Sequence, residues 1–296
     1  MSIKELFLQA LADDKPEQYL TGWELQDTQE SRENQEINFR DFKGKEDLYK
    51  WMEWACWDDI PCYLPEELTK PLIQKSLEND LVVCKKTDIP LMELPIWRRR
   101  LGLNNAIDYI FPSMFKKDIK NVLDFGAGYG RQANLWSDGV YVGMDACLNS
   151  YCTQVVYYES LNKSMGDYIS SPSSFNEAFR GYIHSDLKGI YHLPTWRYDL
   201  LPDNFFDLTI CVQVLRELNE TLVKKMLTEF HRVLRVGGII YIRDHDTKWM
   251  PCGSMNIEEY ILNLGFEKGT TTDKNFKPDA KDGIDLHGVV KVYKKI

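Results

Sequence analysis

The sequence lacks any run of about 20 consecutive apolar residues, the length that a membrane-spanning helix needs. Its amino terminus also lacks the charged-then-apolar plan of a secretory signal peptide. Positive charge is scarce as well: 36 basic and 45 acidic side chains leave a formal net charge of -9. Such a balance repels phosphate backbones and argues against nucleic acid as a partner. We therefore expect a cytoplasmic protein with no membrane-embedded part.

The sequence has no CxxC pair, and its 7 cysteines are scattered and odd in number. This pattern argues against a disulfide framework and against a structural zinc site. Internal repeats and low-complexity tracts are absent too, which excludes a repeat array. With 296 residues, 44% apolar and 27% charged, the chain has the composition of an ordinary globular protein. It is long enough for one large domain, or for one domain with a smaller partner.

Residues 1–115 show helical spacing and little that resembles a strand. An opening helix is predicted by apolar residues three and four positions apart, namely Ile3, Leu6, Phe7 and Leu11. A second apolar stripe, formed by Trp51, Trp54 and Trp57, either packs in a core or forms an aromatic wall for a sugar or ring. We predict that residues 1–115 form a helical section over the substrate and that residues 116–296 form a second domain.

From residue 121 onward, short apolar runs alternate with helical patterns. Buried strands are predicted at 121–125, 140–144, 207–212 and 238–243, with further strand candidates at 266–272 and 287–293. Helices are predicted at 221–234, ended by Gly237 and Gly238, and at 257–264. The long piece 151–198 is expected to hold an extra helix or an insertion that lines a pocket. The alternation predicts an α/β fold with a doubly wound, mostly parallel sheet and ligands at the carboxyl ends of its strands.

The most informative motif is a strand that runs directly into Gly126, Gly128 and Gly130. Glycines at alternate positions let the chain turn sharply and bring bare backbone close to a ligand. A dinucleotide-binding loop has its third glycine one position later, where this sequence has Arg131, which argues against a nicotinamide or flavin enzyme. Asp124, at the end of the strand, suits a ligand that carries a positive charge.

A second acid, Asp145, ends the next predicted strand. A carboxylate at this place can accept both hydrogen bonds of a ribose diol, each worth about 1.5–3 kcal/mol. Loop, acid and strand order together resemble the class I methyltransferases that use S-adenosylmethionine. The resemblance covers about residues 120–296. Two further pieces resemble the family's third and fourth strand region and its late helix and turn, and these are residues 198–218 and 229–238.

The resemblance implies a seven-stranded sheet of the class I type, S-adenosylmethionine as cofactor, and a place for each part of that cofactor. The glycine loop would pass the amino acid portion, and Asp124 would face its ammonium group directly or through water. Asp145 would hold the ribose. The remaining implied contacts are Ala127 in the loop, Gln213 and Val214 beside the sulfonium, and Ala146, Asp199 and Leu200 around the adenine.

Methyl transfer from a sulfonium is an in-line displacement, and an alcohol acceptor at neutral pH needs a base or a metal, whereas an amine needs only to be unprotonated. The run from Arg243 to Asp246 lies at the carboxyl end of a predicted strand. We predict that His245 takes a hydroxyl proton and that Asp244 orients it. Asp244 and Asp246 could instead bind magnesium. That pattern needs a further acid where this sequence has Gln213, so no metal is predicted.

The sequence carries fewer signals for the methyl acceptor than for the cofactor. Trp97 precedes three arginines, Arg98 to Arg100, which either grip an anionic substrate or form a solvated helix face. We predict methylation of a hydroxyl on a small polar metabolite or sugar, including phosphorylated and nucleotide-linked ones. The alternatives are N-methylation of a small amine, modification of a protein or RNA docked on the arginines, and a non-catalytic interaction module that keeps the fold.

Overall fold

The structure is a computed structural model. It describes residues 2–14, 66–87, 101–128, 130–136, 139–161, 165–180, 188–215, 218–244, 255–270 and 290–296. The helices are α1 Ile3–Asp14, α2 Glu66–Thr87, α3 Leu101–Phe115, α4 Leu148–Ser160, α5 Pro172–Arg180, α6 Glu220–Val233 and α7 Ile257–Asn263. The strands are β1 Val122–Phe125, β2 Val140–Asp145, β3 Met165–Asp167, β4 Gly189–Pro194, β5 Phe206–Val212, β6 Leu234–Arg243, β7 Phe266–Lys268 and β8 Val290–Lys295.

The strands form one sheet in the order β3-β4-β2-β1-β5-β6-β8-β7. All pairs from β3 to β6 are parallel, and β8 is antiparallel to both β6 and β7. The predicted α/β fold with a mostly parallel sheet is therefore confirmed. The predicted number of seven strands is wrong, because the described part of the chain forms an 8-stranded sheet. The short strand β3 extends the edge by pairing with β4.

The long piece 151–198 holds the rest of α4, followed by β3, α5 and β4. The extra helix predicted there is present as α5, whereas β3 and β4 were not predicted. The assignment of the family's third and fourth strands to residues 198–218 is wrong, since the described residues of this region form one strand, β5. The preceding strand in the chain is β4, and Tyr198 belongs to a short 3-10 helix, Thr195–Leu200. After the glycine loop the alternation predicts a helix, but the structure has only the 3-10 turn Arg131–Asn134 before β2 begins.

The predicted helix 221–234 is confirmed as α6 within one residue at each end. The glycine pair does not end it, because Leu234 already pairs with Phe206 of β5. Gly237 lies inside β6 with a φ of 76°. The opening helix and the helix α7 are also confirmed. Among the described residues, no helix combines the length and apolarity that crossing a membrane requires.

The sheet is covered on both faces, and helices from the start of the chain contribute to both. On one face, Phe7 of α1 contacts the rings of Tyr151 and Trp196 at centroid distances of 5.1 and 5.4 Å. On the other face, Ile107 and Phe111 of α3 belong to a second buried cluster, which also contains the sheet residues Val122, Tyr141 and Ile210. The division into two domains at residue 116 stays a prediction. Trp51, Trp54 and Trp57 lie outside the described residues.

A buried ion pair joins α3 to the middle of the sheet. The guanidinium of Arg243 donates Nε and one terminal nitrogen to the two carboxylate oxygens of Asp108, at 2.7 and 2.9 Å. The hydroxyl of Tyr241 donates to the same carboxylate at 2.7 Å. Because Asp108 and Arg243 are both buried, this bidentate contact fixes the carboxyl end of β6 relative to α3.

Candidate cofactor and acceptor site

The glycine loop is bonded to the end of the neighbouring strand. The backbone N–H groups of Gly126 and Ala127 both donate to the carbonyl of Met144 in β2, at 3.0 and 2.9 Å. Gly126, Gly128 and Gly130 have φ angles of 71, 59 and 69°, in the left-handed region that favours glycine. This backbone explains why the chain has glycines at alternate positions.

Steric contacts with neighbouring residues, as well as the backbone conformation, exclude side chains from this loop. A Cβ on Gly126 would lie 2.2 Å from Cγ2 of Val214, and one on Gly130 would lie 2.2 Å from the hydroxyl of Tyr158. Val214, which follows β5, therefore touches the loop that follows β1. The structure brings together these two parts of the predicted site.

Asp145 lies directly beside the glycine loop. Its Oδ2 accepts a hydrogen bond from the backbone N–H of Gly128, and its Oδ1 accepts one from the N–H of Cys147, both at 2.9 Å. These bonds fix the orientation of the carboxylate beside the loop. Ala146, which is also buried, follows it at the end of β2.

Asp124 is buried beneath the loop. Its Oδ2 accepts a hydrogen bond of 2.5 Å from the hydroxyl of Tyr141. Burial raises the pKa of Asp124 to about 7, with smaller upward contributions from Asp108 and Asp145, while the bond from Tyr141 acts in the opposite direction. A cation placed beside this carboxyl group would favour its ionised form.

The carboxyl ends of β5 and β6 lie at the same edge of the sheet. Gln213 follows β5 with a φ of 57°, and its N–H donates to the carbonyl of Arg243 at 2.8 Å. Asp244 follows β6 and is buried. Burial, followed by the charges of Asp244 and Asp124, raises the pKa of the Cys211 thiol. The edge is therefore acidic, which suits a cationic ligand.

The predicted adenine contacts Asp199 and Leu200 lie in the 3-10 helix after β4. The carboxylate of Asp199 is exposed and accepts bonds from Arg197 at 3.0 and 3.2 Å. The end of β4 itself is closer to the loop, because Pro194 pairs in register with Asp145. Asp199 and Leu200 stay predictions.

The sequence pattern did not indicate Thr195, which the structure places at this strand end. Its side chain is 3% exposed, and its hydroxyl has no hydrogen-bond partner among the residues that the structure describes. A polar group buried in this way fits a ligand at this edge. A strand pattern ending at Pro194 could have revealed it, but the preceding run is short and contains a histidine.

Several predicted residues of the acceptor side fall outside the described ranges. These are His245, Asp246, Trp97 and the arginines Arg98, Arg99 and Arg100. Within the described ranges, no group of three His, Cys, Asp or Glu side chains could hold a metal ion. The roles of His245 and Asp244 stay predictions.

One segment of the chain matches a known family model. Residues 190–242, from β4 through β5 and α6 into β6, match the family model described as a methyltransferase domain. No curated protein matches the sequence at a significant level.

Solved structures with low sequence identity resemble this one. A TehB-like SAM-dependent methyltransferase from Corynebacterium glutamicum is 16% identical, with a TM-score of 0.44 and coverage of 68% of this chain and 94% of that one. An S-adenosylmethionine dependent methyltransferase from Mesorhizobium loti is 14% identical, with a TM-score of 0.39 and coverage of 66% and 100%. The [4+2]-cyclase SpnF is 14% identical, with a TM-score of 0.41 and coverage of 80% and 99%.

The family match covers the middle of the α/β sheet, and the glycine loop with its neighbouring acids lies at the carboxyl edge of the same sheet. Residues 190–242 of this chain are therefore similar to a methyltransferase domain, and they lie within a mostly parallel α/β sheet.

Proposed function

We propose that the enzyme transfers the methyl group of S-adenosylmethionine to a hydroxyl of a small polar metabolite or sugar, including phosphorylated and nucleotide-linked ones. The observation that carries this proposal is the buried carboxylate of Asp244 at the carboxyl end of β6, on the same sheet edge as the glycine loop. His245 follows it directly in the sequence. A carboxylate beside a histidine can orient the imidazole as a general base, which an alcohol acceptor needs.

The proposed placement of the cofactor follows the contacts at this edge. The loop formed by Gly126, Ala127, Gly128 and Gly130 passes the amino acid portion, with Asp124 near its ammonium group. Asp145 accepts the ribose hydroxyls. Gln213 and Val214 lie beside the sulfonium. Thr195 joins Ala146, Asp199 and Leu200 as a candidate contact of the adenine, because its hydroxyl is buried and it directly follows Pro194, which pairs with Asp145.

When bound, S-adenosylmethionine supplies a methyl group on a positively charged sulfur. The residues of the chain then have three tasks. The buried acids Asp124, Asp145 and Asp244 stabilise positive charge at this edge. The glycine loop keeps side chains away, so that the donor and the acceptor can approach in line. His245 removes the acceptor's hydroxyl proton while Asp244 holds the imidazole.

Replacing His245 with alanine tests the base. We expect the turnover number to fall about 100-fold or more, because general base catalysis contributes 10²–10⁴-fold, while the Kd of S-adenosylmethionine stays unchanged. Release of S-adenosylhomocysteine is measured from pH 6 to 9 with panels of hydroxylated and amine acceptors. His231→Ala is the control, since His231 lies in the last turn of α6 and packs against Phe266 of β7. Unchanged turnover of His245→Ala would reject the hydroxyl proposal and favour an amine acceptor.

The raised pKa of Asp124 predicts that cofactor binding depends on pH. Below about pH 7 the carboxyl group of the free protein holds a proton, which a nearby ammonium group displaces on binding. Affinity is therefore expected to rise by up to about tenfold per pH unit as the pH approaches 7 from below, and then to level off. The Asp124→Asn variant should lose this pH dependence of the affinity. The control Asp13→Asn, which replaces an exposed acid on α1, should retain it.

Calorimetric titrations between pH 5.5 and 8.5, in buffers with different heats of ionisation, measure both the affinity and the protons released. Wild-type affinity that does not change across this range would contradict the proposed contact of Asp124 with the ammonium group.

The proposal also includes a small anionic substrate and a cytoplasmic location. Among the cysteines that the structure describes, Cys147, Cys152 and Cys211 form no disulfide, which fits a reducing compartment. Arg98 to Arg100 are the proposed contacts of a substrate phosphate or carboxylate, and a macromolecular substrate that docks on them remains the alternative.

A further inference from the structure

A chain of hydrogen bonds runs beneath the glycine loop and connects the two acids that are proposed to hold opposite parts of the cofactor. It starts at Asp124, which accepts a bond from Tyr141 of β2 at 2.5 Å. The hydroxyl of Tyr141 is hydrogen bonded to that of Tyr158 in α4. The hydroxyl of Tyr158 also lies 3.5 Å from Oε1 of Gln154, one turn earlier in the same helix. Because Tyr141 gives its single proton to Asp124, the single proton of Tyr158 is shared between two acceptors, the hydroxyl of Tyr141 and Oε1 of Gln154.

Gln154 closes this chain at the loop. Its side chain is completely buried, and its Nε2 donates to the carbonyl of Gly128 at 2.5 Å and, more weakly, to Oδ2 of Asp145 at 3.4 Å. Its neighbours fix the orientation of the amide, because its NH₂ group faces two acceptors and its oxygen faces a hydroxyl donor. The backbone of Gly128 is therefore held twice, through its N–H by Asp145 and through its C=O by Gln154.

No other side chain of this size supplies the same bonds. Methionine has a similar volume but donates no hydrogen bond, so it would leave the carbonyl of Gly128 unsatisfied in a buried place. Glutamate also lacks the donor when ionised and would add a negative charge beside Asp145. The packing leaves little freedom, because the ring of Tyr158 fills the space that a Cβ on Gly130 or Gly143 would occupy.

We propose that Gln154 is a positioning residue of the cofactor site, which holds Gly128 and Asp145 as one preorganised unit so that the amino acid and ribose portions of S-adenosylmethionine bind together. This inference rests on the cofactor placement proposed above. Gln154 itself does not touch the reacting atoms. Its effect is on affinity, because the loop and the acid would otherwise have to be ordered when the cofactor binds.

Gln154→Met is the main test. We expect the Kd of S-adenosylhomocysteine, measured by calorimetry on the full chain, to rise at least about 10-fold, which corresponds to 1.4 kcal/mol. Gln9→Met is the matched control, since Gln9 also bonds a carboxylate, that of Asp13, at 2.9 Å on an exposed helix face. The control should bind as the wild type does.

A double-mutant cycle with Asp145→Asn separates positioning from general stability. If Gln154 acts through the unit it forms with Asp145, Gln154→Met should weaken binding less than about threefold in the Asp145→Asn background. A residue with a merely structural role would lower the melting temperature equally in both backgrounds and show no such coupling in Kd.

The outcomes distinguish this inference from the proposed placement. Wild-type affinity in Asp145→Asn would overturn the placement. Weakened binding in Asp145→Asn together with wild-type affinity in Gln154→Met would overturn only the role of Gln154. If Gln154→Met does not fold, Tyr158→Phe decides, because it removes only the hydroxyl that orients the amide. An increase of about threefold in Kd is then expected, and no change would reject the proposal.

Discussion

Asp145→Ala is expected to weaken the binding of S-adenosylmethionine about 100-fold or more. The substitution removes the two charge-assisted hydrogen bonds that are proposed to hold the ribose, each worth about 1.5–3 kcal/mol. It also leaves the N–H groups of Gly128 and Cys147 without their acceptor, so the glycine loop loses one of the bonds that order it. The loss should appear in the Kd, measured by isothermal titration calorimetry with S-adenosylmethionine and with S-adenosylhomocysteine.

Asp13→Ala is the matched control for this experiment. It also removes a carboxylate that accepts a side-chain hydrogen bond, but on the exposed surface of α1. Its Kd should equal that of the wild type. A Kd of Asp145→Ala within threefold of the wild-type value, with the protein folded by circular dichroism, would place the cofactor elsewhere on the molecule.

Gly126→Ala is expected to abolish measurable cofactor binding and methyl transfer. The added methyl group would lie 2.2 Å from Cγ2 of buried Val214. The backbone of the new alanine would also have to adopt a φ of 71°. Either Val214 or the loop must move, and both belong to the proposed site. Overpacking of this kind costs about 1–3 kcal/mol in addition to the backbone strain, so the melting temperature should fall as well.

Gly237→Ala separates strain from steric overlap. Gly237 has a φ of 76° in β6, and a Cβ there would meet nothing within 4 Å. The control therefore carries the same conformational penalty, about 1 kcal/mol of unfolding free energy, and should bind the cofactor normally. Equal binding by the two variants would contradict the role assigned to the loop at Gly126.

Much of the fold was predictable because its central strands are continuous apolar runs and α6 is strongly periodic. The strands that the pattern did not reveal are the ones with polar interiors or little length. In β4 the buried residue His192 interrupts the apolar pattern, and only the fold shows that its Nδ1 meets Asp167 of β3 at 2.9 Å. Strand β3 has three residues, too few for a period to be recognised.

The site shows the same division. The glycines at 126, 128 and 130 were recognisable because a left-handed backbone leaves a sequence signature at fixed spacing. Gln154 and Tyr158 leave none, since one glutamine and one tyrosine in a helix are as common on solvated faces as in buried networks. Thr195 could be identified only after the register of β4 placed the preceding residue, Pro194, beside Asp145. The positions of these three residues in the site follow from strand pairing and packing between distant parts of the chain, and the spacing of residues along the sequence does not reveal them.

The contact between Asp108 and Arg243 constrains how this protein can diverge. Changing either partner alone strands a charge in the interior, at a cost of about 3–5 kcal/mol, which is a large part of the stability of an ordinary domain. Homologues of this protein are therefore expected either to keep both residues or to replace both. Helix α3 and strand β6 are therefore expected to change together in evolution. Transplanting either one into a distant homologue should fail unless the other is transplanted with it.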